Sequence, residues 1–575
     1  MILQMLCLAM LSYEMASKTQ ARLDEEIAQL AIKLSSLQTR KNTFAPISRL
    51  PTPILARIFV CYASDEYYYA YSGYIRRFAR IESHWIGVSY VCRHWRHVAL
   101  TCPTLWSYLF ARSPRWTEAL LARSLDSPLR IQAKFYKSDM TLDFMAQLAT
   151  HAERLEECSI EFELGGLDVL RALSMLSSRA PRLRNLCIRH VYWAMGSGKD
   201  KQAQEISNQI LFNGDTPCLR ELDFQCYHTP WYSPTIGGLT ILRLHKLATS
   251  VRLTMAELMV ILEHSPDLVE LDLKDALLSG PTSSCQNSKK VRLPFLVRLL
   301  ITAPLSEVFT FLSYVEIPST TRARLDCYQN TLPHPDEFVP FYSFLSHWFA
   351  TSVDKDTSSI PIRGIWIYVR YKHIHFSFST SESLFFAGEN TTALGVDFHP
   401  WTPLSEPNLI IQNIFQHVHL IHLKNINLEN CPLSSTIWMD TFWHLPELRS
   451  IRLTRQGLPG LLEALSHPSL PPSPNREGPK GRGPRQVFAP SLEEIKLCEF
   501  EFDDELNDET CISMVRHLIW ALSRRKKEAG RPLQQLDLIE CRSLCVEDVE
   551  ALSDVVGSVY WDGGPPESTT EDESL

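Results

Sequence analysis

The sequence predicts an α+β or α/β fold, in which a helical N-terminal region precedes an irregular α/β solenoid of alternating strands and helices. Three observations support this prediction. Apolar residues in the first 110 positions follow helical spacing, a Leu-x-x-Leu-x-Leu pattern recurs from about residue 129 onward, and helical patterns separate its copies. A chain of 575 residues also exceeds the size of one compact core, so we expect several domains or an extended array.

The composition is that of an ordinary folded protein and argues against several functional classes. Hydrophobic residues make up 45% and charged residues 21%, and the net charge is −8. This acidic balance argues against nucleic acid as a partner, and no apolar stretch approaches the roughly 20 residues that span a bilayer. The 15 cysteines include no Cys-x-x-Cys pair, which favours reduced thiols and a cytoplasmic or nuclear location.

The N-terminus contains an apolar segment (1–20) and an amphipathic helix (21–43). No Lys or Arg precedes the apolar run, so the segment is either structural or a signal sequence of unusual form. The helix carries an a/d seam at heptad spacing, formed by Leu23, Ile27, Leu30, Leu34 and Leu37. Two interpretations stay open, because the seam can pack on its own domain or pair with a second chain as a coiled coil.

Residues 44–110 contain two further helical blocks. Thr52 and Pro53 form a helix start, because a threonine caps well and a proline at the first position loses no hydrogen bond. The second block, VCRHWRHVALTCPTLW (91–106), is rich in Cys, His and Trp and suggests a metal site. Cys92 and His94 lie about 200° apart on a helix, however, so one ion cannot bind both. The apolar residues of this block instead share one helical stripe.

The ordered motif Leu50-Pro51-x-x-Ile54-Leu55-x-x-Ile58-Phe59, Val91-Cys92-x-x-Trp95, Leu100-x4-Leu105-Trp106 resembles the F-box. It is most similar to the F-box families of mushroom-forming fungi, in which a short heptad helix precedes the motif. The resemblance covers residues 21–109. Pro53 stands where the family usually has Glu, and the interval between Leu50 and Val91 is longer than in most F-boxes.

The resemblance implies that residues 44–110 dock on the Skp-type adaptor of cullin-based ubiquitin ligases. Expected adaptor contacts are Leu50, Pro51, Ile54, Leu55, Ile58, Phe59, Val91, Cys92 and Trp95, with Trp95 lying mainly in the core. The expected core of the F-box is formed by Val88, Val98, Leu100, Leu105 and Trp106. A purely structural interpretation, in which all these residues fill a helical core, produces the same apolar stripe.

Residues 129–560 are expected to form a leucine-rich-repeat-like domain. The clearest copies are PRLRNLCI (181–188), PCLRELDF (217–224), PDLVELDL (266–273), PFLVRLLI (294–301), PELRSIRL (446–453) and PSLEEIKL (490–497). Weaker copies are ERLEECSI (153–160), GGLTILRL (237–244), QHVHLIHL (416–423) and RPLQQLDL (531–538). Alternate apolar residues point inward from each strand, and neighbouring units must stack to bury them. The array weakens over 302–415, where 365–379 predicts a strand pair. A disordered insertion (466–488) and an acidic disordered tail (561–575) are also expected.

Charged residues between the inward positions are expected to line the open face of the sheet. They are Glu221, Asp223, Arg243, Glu270, Asp272, Arg452, Lys496 and Asp537. Both signs of charge are present, which favours cross-strand ion pairs over a ligand site. A partner that uses this face is therefore expected to be a protein.

Motifs for catalysis are weak throughout. MGSGKDK (195–201) lacks the first glycine of a phosphate loop, and 524–527 fits a helix C-terminus better than a nuclear signal. We therefore expect a non-enzymatic protein without metal or cofactor. The expected function is that of a substrate-recognition subunit, which brings an unknown protein substrate to a Skp–cullin–F-box ubiquitin ligase. The alternative is an F-box scaffold that acts outside a ligase.

Overall fold

A computed structural model of the chain describes the greater part of the sequence. The described residues are 2–71, 84–110, 114–136, 138–163, 166–190, 210–227, 236–278, 290–329, 338–348, 361–370, 373–381, 392–400, 407–418, 420–443, 445–467, 487–502 and 513–563. The chain divides into two units, Met1–Tyr192 with Gln209–Cys218 and Trp193–Asn208 with Leu219–Leu575. Within the described ranges, no helix has the length and apolarity needed to cross a membrane.

The first unit begins with helices. They are α1 (Ile2–Thr43), α2 (Thr52–Tyr71), α3 (Val88–Val91) and α4 (Arg93–Leu100), with 3-10 turns at Pro46–Arg49, His84–Gly87 and Pro103–Ser107. Helix α1 is continuous, so the segments 1–20 and 21–43 are one element. The predicted single helix around Trp95 is broken at Cys92, whose φ is −160° and whose Sγ accepts a hydrogen bond from the Trp95 backbone N–H. Cys92 thereby caps α4.

A parallel sheet completes the first unit. Its strands pair in chain order: β1 (Tyr108–Phe110), β2 (Leu129–Phe135), β3 (Leu155–Phe162) and β4 (Asn185–His190). The intervening helices are α5 (Pro114–Ser124), α6 (Ser138–Ala149) and α7 (Gly166–Ser174). The first strand lies inside the range 44–110 that the sequence assigns to the helical F-box, so the sheet begins earlier than the predicted residue 129.

The second unit starts as a parallel sheet in chain order. Its first strands are β5 (Glu221–Gln225), β6 (Ile241–His245), β7 (Glu270–Lys274), β9 (Arg298–Pro304) and β11 (Arg322–Gln329). Two short strands, β8 (Val291–Arg292) and β10 (Val315–Glu316), pair with each other. The helices are α8 (Met255–Glu263), α9 (Leu305–Tyr314) and α10 (Val339–Trp348). Thr254 and Glu257 form the predicted capping box of α8.

The chain order is reversed at the next three strands, β12 (Gly364–Arg370), β13 (His373–Ser379) and β14 (Thr392–Pro400). Strand β11 pairs in parallel with β14, β13 is antiparallel to both β14 and β12, and β12 is parallel to β15. The predicted strand pair at 365–379 is therefore confirmed. Because β13 alone runs backwards, the sheet resumes its parallel direction at β15 (Asn425–Glu429).

The remaining elements continue in parallel. Helix α11 (Pro407–Gln416) precedes β15, and the later strands are β16 (Ser450–Thr454), β17 (Glu494–Cys498), β18 (Gln535–Ile539) and β19 (Ser558–Trp561). The later helices are α12 (Ser435–Ile437), α13 (Leu458–Ser466), α14 (Met514–Ala529) and α15 (Val546–Ser553). The predicted insertion and tail fall almost wholly outside the described residues, at 468–486 and 564–575, as does MGSGKDK.

The leucine pattern places strands correctly in nine of its ten copies. The exception is QHVHLIHL (416–423), whose described residues comprise the last residue of α11 and turns, while the strand follows at β15. There the pattern is carried by Leu423, Ile426 and Leu428, all buried. The α/β class is thus confirmed as a helical N-terminus followed by a large, mostly parallel sheet.

Candidate functional site

Helix α2 buries one apolar stripe. Its members are Leu55, Phe59, Ala63 and Tyr67, which lie four residues apart and are at most 2% exposed. The Phe59 ring lies 5.0 Å from the ring of Trp95, and the Tyr67 hydroxyl donates to the Ile131 carbonyl at 3.1 Å. Leu55 and Phe59 were expected to contact the adaptor. The structure buries both side chains in their own unit, so the exposed residues of the motif are better placed for that contact.

A second apolar stripe on α2 is exposed. It starts at Pro51, just before the helix, and continues through Ile54, Ile58 and Cys61 at steps of three and four residues, which places them on one face. Ile54 is 48% exposed and Ile58 is 43% exposed, and Val91 at the end of α3 is 59% exposed. Leu50, Cys92 and Trp95 are half-buried. Of the nine expected contact residues, all except Leu55 and Phe59 therefore retain accessible surface.

The expected F-box core is mostly buried. Val88, Val98, Leu105 and Trp106 are at most 8% exposed, whereas Leu100 is 40% exposed. Leu100 is the last residue of α4 and points partly to solvent, so its assignment to the core is wrong. The Trp106 Nε1 donates to the Ala99 carbonyl at 2.7 Å.

Charged residues on the open face of the sheet mostly pair with one another. The Arg243 Nε lies 2.7 Å from the Glu270 Oε1, and the Lys496 Nζ lies 3.1 Å from the Asp537 Oδ2. Asp272 pairs with His245 at 2.9 Å. These contacts join adjacent strands, so they agree with the structural interpretation of the charged positions rather than with a ligand site.

Sequence reasoning did not find a hydrogen-bonded cluster on strands β13 and β14. The His373 Nε2 and the His375 Nδ1 both donate to the Asp397 Oδ1, each at 2.8 Å. Burial alone would raise the pKa of Asp397, but these two hydrogen bonds outweigh it and hold the pKa well below its ordinary value. The only signal in the sequence is the alternation of His373 with His375 and of Asp397 with His399.

The same cluster contains two stacked imidazoles. The His373 and His399 rings lie 4.4 Å apart with planes inclined by 6°, and the His399 Nε2 lies 3.0 Å from the Asp326 Oδ1. The hydrogen bond to Asp326 raises the pKa of His399. One potential metal-ligating atom from each of His373, Asp397 and His399 lies within 4.8 Å of the other two. The lone pairs of two metal ligands must converge on one ion, whereas those of parallel rings point in parallel directions. The two histidines therefore fit a hydrogen-bonded network better than a metal centre.

The basic run at 524–527 is part of the fold. Arg525 is 3% exposed, and its guanidinium donates to the Phe488 and Ala489 carbonyls. Gly530 follows as the left-handed C-cap, with φ of 71°. Burial lowers the pKa of Arg525 to about 10. The helix-terminus interpretation of this run is therefore favoured over a nuclear signal.

Neither protein-family models nor curated proteins match this chain. The functional conclusion therefore depends on the residues themselves. Two features carry it, the exposed apolar stripe of α2 and the order of the motif from Leu50 to Trp106.

Proposed function

We propose that the protein is a substrate-recognition subunit of a Skp–cullin–F-box ubiquitin ligase. The observation that carries this proposal is the exposed apolar stripe of Ile54 and Ile58 on α2, with Pro51 just before the helix, beside a fully buried stripe. The folded unit does not need these side chains for its own core. When a partner covers apolar side chains at a helix face, the free energy falls by about 25 cal/mol per Å² of apolar surface buried.

The order of the elements supports the same proposal. The motif occupies a helical region at the start of the chain, and α2 continues into Tyr67, whose hydroxyl bonds to strand β2. The F-box helices therefore pack on the first strands of the same unit. In the proposal, the adaptor covers the exposed stripe, while the leucine-patterned strands and helices present a protein substrate.

Adaptor binding tests the proposal directly. The double variant Ile54→Asp/Ile58→Asp is expected to lose at least about tenfold in affinity for the Skp-type adaptor, because two charges would be buried without partners. Affinity is measured with purified full-length protein and adaptor, together with the melting temperature. The matched control is Leu125→Asp, an apolar residue of the same unit that is 61% exposed.

The control is expected to bind as the wild type does. Equal binding by the double variant, with an unchanged melting temperature, would contradict the docking assignment. When the protein is purified from cells together with its bound partners, cullin is expected alongside the adaptor if the protein is a ligase subunit. Adaptor without cullin would instead favour the scaffold alternative.

Helix α1 supports a second proposal, self-association. Its seam residues Leu23, Ile27, Leu30, Leu34 and Leu37 are 52–66% exposed. We expect sedimentation equilibrium to show a dimer that the variant Leu30→Glu/Leu34→Glu converts to a monomer, since charges at a and d positions break the seam. A double charge at Ser36 and Gln38, outside the seam, is the control. A monomeric wild type at about 50 μM would refute the proposal, since about three heptads give modest affinity.

A further inference from the structure

The reversed strands of the second unit create a cavity of about 740 Å³. Its floor is a row of residues in register across four strands: Arg324 on β11, Gly395 on β14, Ser377 on β13 and Trp366 on β12. The two smallest side chains lie in the middle of this row, and long side chains lie at both ends. A glycine inside a strand often marks a place where another group approaches the backbone closely. The volume falls in the range of small-molecule sites, roughly 300–1,000 Å³.

One end of the cavity is basic. Arg298 on β9 and Arg322 and Arg324 on β11 line it, and a fourth lining arginine, Arg370, lies on β12 at the opposite end. Two carboxylates, those of Asp397 and Glu429, also line the cavity, so arginines outnumber them.

Two of these arginines are accessible to a ligand. The Arg324 Nε lies 3.7 Å from the Asp397 Oδ2, and Arg298 lies 3.5 Å from Glu270. Each guanidinium presents its N–H donors in a planar fork. Arg324 and Arg298 are also 58% and 52% exposed. A planar guanidinium group can donate two parallel hydrogen bonds to two oxygens of one phosphate.

The other end of the cavity is aromatic. Trp366 and Tyr368 alternate along β12 on the open face of the sheet, and the Trp366 ring lies 5.1 Å from that of His375. The Arg370 Cζ lies 5.0 Å from the Tyr368 ring centroid. Three strand steps separate Arg324 from Trp366, a distance of about 14 Å at the usual strand spacing. A ligand with a ring at one end and anionic groups at the other fits this arrangement.

The lining also contains a buried donor, the Trp366 Nε1, which has no hydrogen-bond partner among the described residues. A ligand with an acceptor beside its ring would satisfy this donor.

We propose that this cavity binds a small phosphorylated ligand with a planar ring, of the nucleoside-phosphate class. The phosphates lie against Arg322 and Arg324, and the ring lies against Trp366. An acidic peptide is the competing occupant, but its carboxylates match the arginines alone and leave the aromatic end without a planar group. The proposal goes beyond the ubiquitin-ligase function and does not depend on it.

Calorimetry with the purified full-length chain tests this proposal, with ADP, pyrophosphate and an acidic phosphopeptide as probes. ADP is expected to bind saturably and more tightly than pyrophosphate. The variant Arg322→Ala/Arg324→Ala is expected to weaken ADP binding at least about tenfold, because charge-assisted bonds to phosphate are lost. Trp366→Leu is expected to weaken ADP binding and leave pyrophosphate binding unchanged.

The matched control is Arg452→Ala. Arg452 lies on β16 in the same register row as Trp366, two strands beyond it and outside the cavity, and its loss is expected to leave ADP binding unchanged. If the double variant melts early, the single variant Arg322→Ala replaces it with the same expectation. Absence of ADP binding at about 1 mM, equal binding by every variant, or binding of the phosphopeptide alone would each overturn the proposal.

Discussion

Replacing Trp106 by alanine is expected to destabilise the first unit by roughly 4 kcal/mol, the usual cost of deleting a buried large aromatic side chain. Trp106 is 1% exposed, and its Nε1 donates to the Ala99 carbonyl. The Trp85 ring meets it edge-on at 5.5 Å, and the Arg123 Cζ lies 4.6 Å from its ring. The substitution therefore removes a hydrogen bond, an aromatic pair and a cation–π contact, and it leaves a cavity where the N-terminal helices meet strand β1.

Hydrogen exchange of the full-length chain measures this effect unit by unit. Amides of α2 and β1 are expected to lose protection in the variant, whereas those of β15 to β18 are expected to stay unchanged. Leu100→Ala is the control, because Leu100 belongs to the same motif but is 40% exposed. Its cost is expected to be about 1 kcal/mol or less, the effect of a surface-proximal substitution. Equal costs for the two variants would show that burial does not distinguish these positions.

Comparison of Ile54 with Leu55 shows what helical periodicity can predict and what it cannot. Both residues belong to one apolar arc of α2, and the pattern gives them the same assignment. They lie about 100° apart around the helix axis, and the structure leaves Ile54 exposed and buries Leu55. Periodicity thus predicts the helix and its apolar side. Which residues of that side meet the rest of the chain depends on tertiary packing.

Strand positions were predictable for a similar reason. Each copy of the leucine pattern places its last two apolar residues on alternate positions, and burial of one sheet face enforces that alternation locally. The pattern failed at QHVHLIHL, where the spacing of Val418, Ile421 and Leu423 fits the template but the helix α11 ends only at Gln416, the first residue of the copy. The reversal of β12 to β14 was not predictable, because strand order depends on pairing between residues far apart in sequence.

The cluster at Asp397 shows the same limit for a candidate site. His375 and Asp397 are 22 residues apart, and only the antiparallel register of β13 and β14 sets them opposite each other. The reversed strand order also brings Arg324 and Trp366 to one row. Short sequence motifs do not predict such a site, since its residues come from separate strands.

Replacing Asp397 by alanine is expected to destabilise the second unit by roughly 3 kcal/mol at pH 7, the usual cost of breaking a buried ion pair or hydrogen-bonded charge. Asp397 is 5% exposed, and the change leaves the donors of His373 and His375 without their acceptor. Protection of the β13 and β14 amides in hydrogen exchange measures the loss. Asp326→Ala is the control, because Asp326 is 36% exposed and pairs with His399 nearer the surface. About 1 kcal/mol or less is expected there.

The pH dependence separates this effect from simple loss of packing. The pKa of Asp397 is lower in the folded chain than in the unfolded chain, where an Asp titrates near about 3.9. Its ionised form therefore stabilises the fold at all pH values above about 4, and this stabilisation is lost as the pH falls further. The contribution of this carboxylate to the free energy of unfolding is expected to be the same at pH 7 and pH 5.5. The difference in that free energy between wild type and Asp397→Ala is expected to shrink at about pH 3.5. A difference that stays constant to the lowest pH would mean that the side chain acts through its volume and not through its charge.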